Sequence, residues 1–562
     1  MKIHQRYKRF IPKVVGITAA VIVAFGAMLL QIPSTKAASL HKKYQFIDTN
    51  YNVPSSSVVW VAPNGNDATG NGSENSPYKT FGKAVTAVPS GGTVVAKSGI
   101  YREPHFFISK SNITLQAAPH AEVWLKGSDI VTNWTSNNGV WKTTGNYHNF
   151  CHVCTTNSDP GKEGVAAYPE QVFINDEPMQ QVATKAEVTP GSNTFYVEDK
   201  TPTTLKVPGD NSKGYNIGAQ DNITYYIGKN PAAGQVEISE RTRAFTATGQ
   251  NFTARGINVA QYASVQAWGF ADPVYGKDIS GPTAVSLNGN NSLAQNMIIT
   301  QNSNQGLFFN QAKASANGVK VIDNGGSGAG ANKAHDSVFE NSELHGNNAA
   351  GFITSGCGAY CTMADIKVAH TKNFIFRNNI LDNSSSGKVQ SAPTNADNVG
   401  TINFWCDEGC IDTKIVNNFF TNSSLAIMYE VSGSAVIASN IIESSGTGIR
   451  VSGSENVKLY NNTISRTYRP VYLFEDQRMN GCNAWNAAGV CTAKENWSAS
   501  QGLSWNTSGV EMYNNIISSR PLADSNDLAG EAYQRAYSLR VEGAKNEPNG
   551  PYVDANSMLK GF

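Results

Sequence analysis

The chain has almost no net charge: 44 Lys plus Arg stand against 43 Asp plus Glu in 562 residues. That balance excludes a global field suited to nucleic acid or to a strongly acidic polymer. Helical periodicity is missing except in one short stretch, and leucine is too sparse for a leucine-rich repeat. Phosphate-binding signatures are absent too. Gly325-Gly-Ser-Gly-Ala-Gly330 is glycine-rich, but it has no strand-to-helix context and reads as a turn. His335, His345 and His370 lack metal-like spacing and read as turn or surface residues, and Cys151-His152-Val153-Cys154 has no second CxxC with which to close a zinc site. No cofactor is required; a bound calcium ion stays open.

What is present begins at the N-terminus. Lys2, Arg6, Lys8, Arg9 and Lys13 precede an apolar run from Val14 to Leu30, and Thr35-Lys36-Ala37-Ala38 follows. A basic start, an apolar centre and small residues predict a secretory signal over residues 1–38, with an uncleaved membrane anchor as the alternative. Either way the rest of the chain is expected outside the cytoplasm, secreted or at the cell surface, with no further membrane contact. Eight cysteines in four close pairs agree: Cys151/Cys154, Cys357/Cys361, Cys406/Cys410 and Cys482/Cys491. An even count in an exported chain predicts disulfides, local pairing being the simplest connectivity.

From Ser337 onward a short phrase recurs, as in Phe374-Ile-Phe-Arg-Asn-Asn-Ile380, Val436-Ile-Ala-Ser-Asn-Ile-Ile442 and Val457-Lys-Leu-Tyr-Asn-Asn-Thr-Ile464. Its asparagines fall at Asn379, Asn418, Asn440, Asn462 and Asn515, two successive steps being 22 residues. Within each phrase apolar and polar residues alternate, the period-2 signature of half-buried strands. Short strands, glycine turns and this period predict an all-β fold, a right-handed parallel β-helix solenoid, with the asparagines pointing inward and bonding backbone amides of neighbouring coils.

The expected organisation has a linker over 39–56, then an N-terminal part of the solenoid over 57–139. A capping helix over Ser76–Val88, with Ser76 as N-cap, belongs to that part. An inserted β-rich, sandwich-like subdomain is expected over 140–245, the solenoid with its functional face over 246–522, and a tail packing back over 523–562.

Asp407 and Glu430 lie 23 residues apart, about one coil. Stacked coils would bring them within about 4.8 Å, the inter-strand spacing. Alternation along Thr401-Ile-Asn-Phe-Trp-Cys-Asp407 turns Ile402, Phe404 and Cys406 inward and Asn403, Trp405 and Asp407 outward. One repeat later Met428 and Glu430 face outward, and Lys367 projects from the preceding coil. Two carboxylates so close do not both ionise cheaply, so one serves as a proton donor while the other stays charged near Lys367. Carboxyl groups about 5–5.5 Å apart suit a retaining glycosidase, with Asp407 as nucleophile and Glu430 as acid/base. Stacked surface carboxylates or a calcium-binding pair are the plain alternatives.

The motifs Trp60 to Asp67, Gly99-Ile-Tyr-Arg-Glu103, Gln171 to Met179, Phe404-Trp-Cys-Asp407 and Met428-Tyr-Glu430 carry a family resemblance running from about Val58 to Ser518. The chain resembles exported right-handed parallel β-helix proteins related to the β-xylosidases of glycoside hydrolase family 120. That resemblance implies double-displacement hydrolysis with an Asp nucleophile and a Glu acid/base at Asp407 and Glu430, on a β-helix bearing an inserted β-sandwich. The chain departs from the pattern where relatives read Trp-Phe-Asp instead of Trp405-Cys406-Asp407. It departs again where they carry a Trp-Glu pair, at Cys361-Thr362-Met363-Ala364-Asp365 here, with Asp365 a partial replacement.

Two long excursions, Ser384 to Asn398 and Glu475 to Trp505, are expected to wall the cleft. The second carries Asp476, Trp485, Trp497 and Trp505, clipped by Cys482 and Cys491; Trp485 and Trp497 can stack on sugar faces. Arg450, one coil beyond Glu430, can bond a substrate hydroxyl or carboxylate. The expected partner is an oligo- or polysaccharide. A polysaccharide lyase with Lys367 as base, and a non-catalytic carbohydrate-binding solenoid, are the competing functions.

Overall fold

The computed structural model describes residues 38–150, 168–198, 220–264, 271–272, 277–278, 283–351, 363–383, 402–467, 469–475, 478–519 and 539–542. The signal segment before residue 38, the Ser384 to Asn398 excursion, Asp476 and the pairs Cys151/Cys154 and Cys357/Cys361 lie outside them.

Each coil turns through three short strands, as in Leu293–Gln295, Ile298–Thr300 and Gln305–Phe309. The next coil repeats them 22 residues later, pairing Leu293 with Ser315, Ile298 with Lys320 and Leu307 with Ala329 in parallel. Stacking yields three parallel sheets among the described residues: a back sheet of 12 strands, and a side and a front sheet of 11 each. The chain is a right-handed parallel β-helix.

Its interior is a continuous column of apolar side chains. Phe309, Phe339, Phe376 and Phe420 form one file in it, with neighbouring ring centroids 5.7–6.5 Å apart. The asparagines do what their spacing predicts. Oδ1 of Asn440 accepts the backbone amide and Nδ2 of Asn418, at 3.0 Å each, and Asn462 repeats this for Asn440. Every inward asparagine thus satisfies amides that the corner would strand in a dry interior.

A capping helix closes the N-terminal end, but it spans Phe81–Ala87 and is capped by Thr80, not by Ser76. Two carboxylates shift its start. Asp67 accepts the amides of Lys79 and Thr80, and Glu103 those of Phe81 and Gly82. Residues 39–56, read from sequence as a linker, are instead a packed strap. Its first part is the helix Ala38–Tyr44, whose Leu40 and Tyr44, one turn apart on one face, pack against Trp124, Ala260, Ile298 and Ile322 on the side sheet.

Among the described residues the insert is two small sheets, one of four strands and one of five, closed on Val172, Phe195, Ile223, Tyr225 and Ile238. They run from Ser128–Ile130 to Val236–Ser239, so the departure from the coil comes before residue 140. A buried charge cluster ties them to the solenoid: Lys126 Nζ lies 2.5 Å from Asp176 and 2.6 Å from Glu237, which also pairs with Arg102. In the expected tail, Leu539–Glu542 adds a further parallel strand to the front sheet, beside Arg469–Phe474.

Candidate active site

The outer face of the front sheet carries two rows of side chains. One row runs through Gly330, Lys367, Trp405, Met428, Arg450 and Tyr472, each residue paired with the next. The second contains Asn332, Ala369 and Asp407 on successive strands, and Glu430, Ser452 and Phe474 on the next three. The rungs Trp405–Met428 and Cys406–Tyr429 bring Asp407 and Glu430 to the same level one step further along. Their strands are adjacent, about 4.8 Å apart at the backbone.

Ala369 is small, and the space above it lets Lys367 reach diagonally. Its Nζ lies 2.8 Å from Asp407 Oδ2 and 3.8 Å from the centre of the Trp405 ring. The Trp405 indole N–H donates to Glu430 Oε2 at 3.0 Å. Lysine, indole, aspartate and glutamate therefore form one contiguous group. Asp407 keeps 13 % of its side-chain surface exposed and Glu430 8 %, so both are reachable yet largely shielded from water.

Just past these residues both strands kink. His370 and Glu408 adopt left-handed backbone, and the register slips between Ala369 and Thr371. A Cys406–Cys410 disulfide clips this kink beside Asp407. Gly409, also left-handed, is required there: a Cβ would stand 2.5 Å from Ser498 Oγ and 2.6 Å from the Trp497 ring.

The excursion after residue 475 folds back over this kink, and the Cys482–Cys491 disulfide joins the two strands of its hairpin, Cys482–Trp485 and Cys491–Lys494. Asn483 donates to Glu408 Oε1 at 2.9 Å, and His370 Nε2 lies 3.3 Å from Glu495. Arg478, on the same excursion, pairs with Glu430 Oε1. Burial pushes the Glu408 carboxyl above its usual range, with the neighbouring Asp407 charge adding to it. Burial lowers the His370 imidazole despite the nearby Glu495 and Asp407. Sequence reasoning missed Arg478 and set His370 aside as a turn or surface residue. Arg478 lies in an excursion the sequence does single out, but nothing local marks it as the partner of Glu430.

Several expected site residues sit elsewhere. Asp365 is not on the substrate face. It is fully buried, accepting Nδ2 of Asn347, Asn383 and Asn403 at 2.8, 3.2 and 2.7 Å, and burial raises its carboxyl to about 7 although the three amides pull it down. Asn403, expected outward, is buried with it, and Ile402, expected inward, packs outside the main core with Ala364, Leu425 and Met428. The front strands begin with a bend, so strict alternation starts only at Phe404.

Trp497 anchors the excursion instead of offering an open face: His335 stacks on it at 6.0 Å and His370 meets it edge-on at 5.7 Å. Trp505 is fully buried against Val431 and Leu503. Trp485 is half-buried on the hairpin, opposite Cys491. Arg450 keeps its place in the row beside Met428, 6 % exposed, with its guanidinium 4.8 Å from the Phe474 ring. Among the described residues no group of three or more His, Cys, Asp or Glu could hold a metal ion, and no helix is long and apolar enough to cross a membrane.

The family described as the right handed beta helix region matches residues 400–524, the coils bearing Asp407 and Glu430. No curated protein matches the chain. Among solved structures, a complex of XylC with xylose is similar over 86 % of this chain and 82 % of its own, with a TM-score of 0.51 and 12 % identity. A glycoside hydrolase is similar over 85 % of this chain and 100 % of its own, with a TM-score of 0.44 and 11 % identity. The pectate lyase Pel9A follows over 74 % and 79 %, with a TM-score of 0.38 and 12 % identity. At such identities the likeness establishes the fold alone.

Proposed function

We propose that this protein is an exported carbohydrate-active enzyme, a retaining glycoside hydrolase in which Asp407 is the nucleophile and Glu430 the acid/base. One observation carries the reading: two carboxylates at one level of adjacent coils, each with its own partner, Lys367 for Asp407 and Trp405 with Arg478 for Glu430. The Lys367 ammonium, 2.8 Å from Asp407 Oδ2, fixes where that carboxylate sits on the open face. Such a pair suits a double displacement, in which groups about 5–5.5 Å apart attack the anomeric carbon and protonate the leaving oxygen.

Asp407 attacks the anomeric carbon while Glu430 gives its proton to the departing oxygen, leaving a glycosyl ester on Asp407. Water, deprotonated by Glu430, then releases the sugar with retained configuration. For the first step the Arg478 guanidinium has to give way to the leaving-group oxygen. A lyase reading is weaker, because Lys367 Nζ is held over the Trp405 ring and against Asp407 instead of facing open space. Export is supported by the basic and apolar N-terminal run and by the two disulfides. The resemblance to the family 120 β-xylosidases and the fold shared with the XylC–xylose complex make pentosides the first substrates to try.

The test is a panel of aryl glycosides on wild type, Asp407→Ala and Glu430→Ala. Turnover of the responsive substrate should fall by about 10⁴-fold or more in Asp407→Ala and by about 10²–10⁴-fold in Glu430→Ala. Azide should restore part of the Glu430→Ala rate on activated substrates and yield the glycosyl azide of retained configuration. Wild-type rates in both variants would end the assignment.

A further inference from the structure

A cleft of about 630 Å³ opens at the opposite edge of the front sheet from Asp407, several coils nearer the N-terminus. Its walls come from three parts of the chain: Gln301 and Asp323 from corners leading into the front sheet, Phe173 and Phe195 from the insert, and Lys43 and Tyr44 from the strap. The volume falls in the range of about 300–1,000 Å³ typical of small-ligand sites, and junctions between domains are where such sites gather.

The walls are tied together, so the cleft is preformed. Tyr44 donates to Asp323 Oδ2 at 3.0 Å, and Gln171 Nε2 to the Gln301 carbonyl at 2.9 Å. Gln301 Nε2 in turn donates to the Asp176 carbonyl at 2.7 Å, fixing solenoid to insert. A site held open in this way spends little ordering entropy on a ligand.

The lining favours one chemistry. Glu170, Glu187 and Asp323 supply carboxylates and Gln180 and Gln181 side-chain amides, so acceptors abound. Lys43 is the one cation among the described lining residues, and it is paired with Glu177 at 3.0 Å. Anionic ligands are thereby disfavoured, and a ligand rich in hydroxyl donors is favoured. The half-buried Tyr168 ring offers the flat, non-polar contact that a sugar ring's C–H face takes, above the buried Phe173, Met179 and Phe195 that support it.

We propose that this cleft is a second saccharide site, holding a neutral, hydroxyl-rich oligosaccharide away from the catalytic pair. It does not depend on hydrolysis at Asp407, so it stands or falls separately from the enzymatic reading.

Calorimetric titration of the full-length Asp407→Asn protein, which excludes turnover, tests it with four probes: xylotetraose, cellotetraose, tetragalacturonate and a chitosan tetramer. At least one neutral tetramer should bind, and Ala183→Trp, which fills the exposed rim, should weaken that binding by at least about tenfold. Tyr168→Ala should weaken it in the same sense, whereas Tyr513→Ala, exposed on the back sheet, should leave it unchanged. Unaltered melting midpoints in these variants exclude misfolding as the cause. Binding that ignores Ala183→Trp overturns the proposal. So does tighter binding of tetragalacturonate, binding of the chitosan tetramer alone, or binding of none of the four.

Discussion

The two edges of the front sheet make an instructive pair. At the leading edge Asp365 is sealed among Asn347, Asn383 and Asn403; at the trailing edge of the next strand Asp407 meets Lys367 and keeps some contact with water. Both aspartates fall on the outward phase of a strict alternation. One is a structural acceptor and the other a candidate nucleophile. Distance along the strand decides between them, because the bend at each strand's start turns side chains into the corner ladder, and only the later residues reach the open face.

Replacing each aspartate's partners separates the two roles most sharply. Asp365→Ala would strand three buried side-chain amides, and at about 1 kcal/mol or more for each it should cost about 3 kcal/mol of stability or more. Urea titration measures this, and kcat per folded molecule should stay near wild type. Activity lost in proportion well beyond the unfolded fraction would mean that Asp365 serves the site after all.

The converse variant, Lys367→Met, removes a charge-assisted contact worth about 1.5–3 kcal/mol, so kcat/KM should drop by about ten- to a hundredfold. Its urea midpoint should move less than that of Asp365→Ala. An equal loss of stability and no change in rate would erase the contrast between the edges.

A pH dependence completes the comparison. Burial raises Asp365 from 3.8 to about 7, so between those values the folded chain holds a proton that the unfolded chain has released. Stability from this group is therefore greatest at low pH, declines as pH rises through that window, and levels off above about 7. Calorimetry on wild type and Asp365→Asn should show a difference in melting temperature that favours wild type most near pH 4 and narrows toward pH 7. A difference that is flat or widens with pH contradicts the assignment.

Much of the architecture is written locally and could be read. The 22-residue period, the alternation after Phe404 and the asparagine ladder depend on neighbours one coil away, which the repeat itself specifies. The row of Lys367, Trp405 and Met428 follows from the same arithmetic. What stayed hidden depends on partners that no period announces. Asp365 is enclosed by amides from its own coil and from the next, Arg478 reaches Glu430 from 48 residues away, and Asp67 and Glu103 move the start of the capping helix. The strap beginning at Ala38 was misread because its apolar residues are few and make sense only against Trp124 and Ile298.

Asn462 bonds Asn515 at a sequence separation of 53 with the same geometry by which Asn440 bonds Asn462 at a separation of 22. Material added at a corner therefore leaves the spacing of the spiral untouched. The excursion that brings Arg478 and Asn483 to the site is, in this sense, a detachable cassette: it can lengthen, shrink or be exchanged while Asp407 and Glu430 keep their alignment. Under the proposed function, substrate choice can thus drift, or be engineered, independently of Asp407 and Glu430.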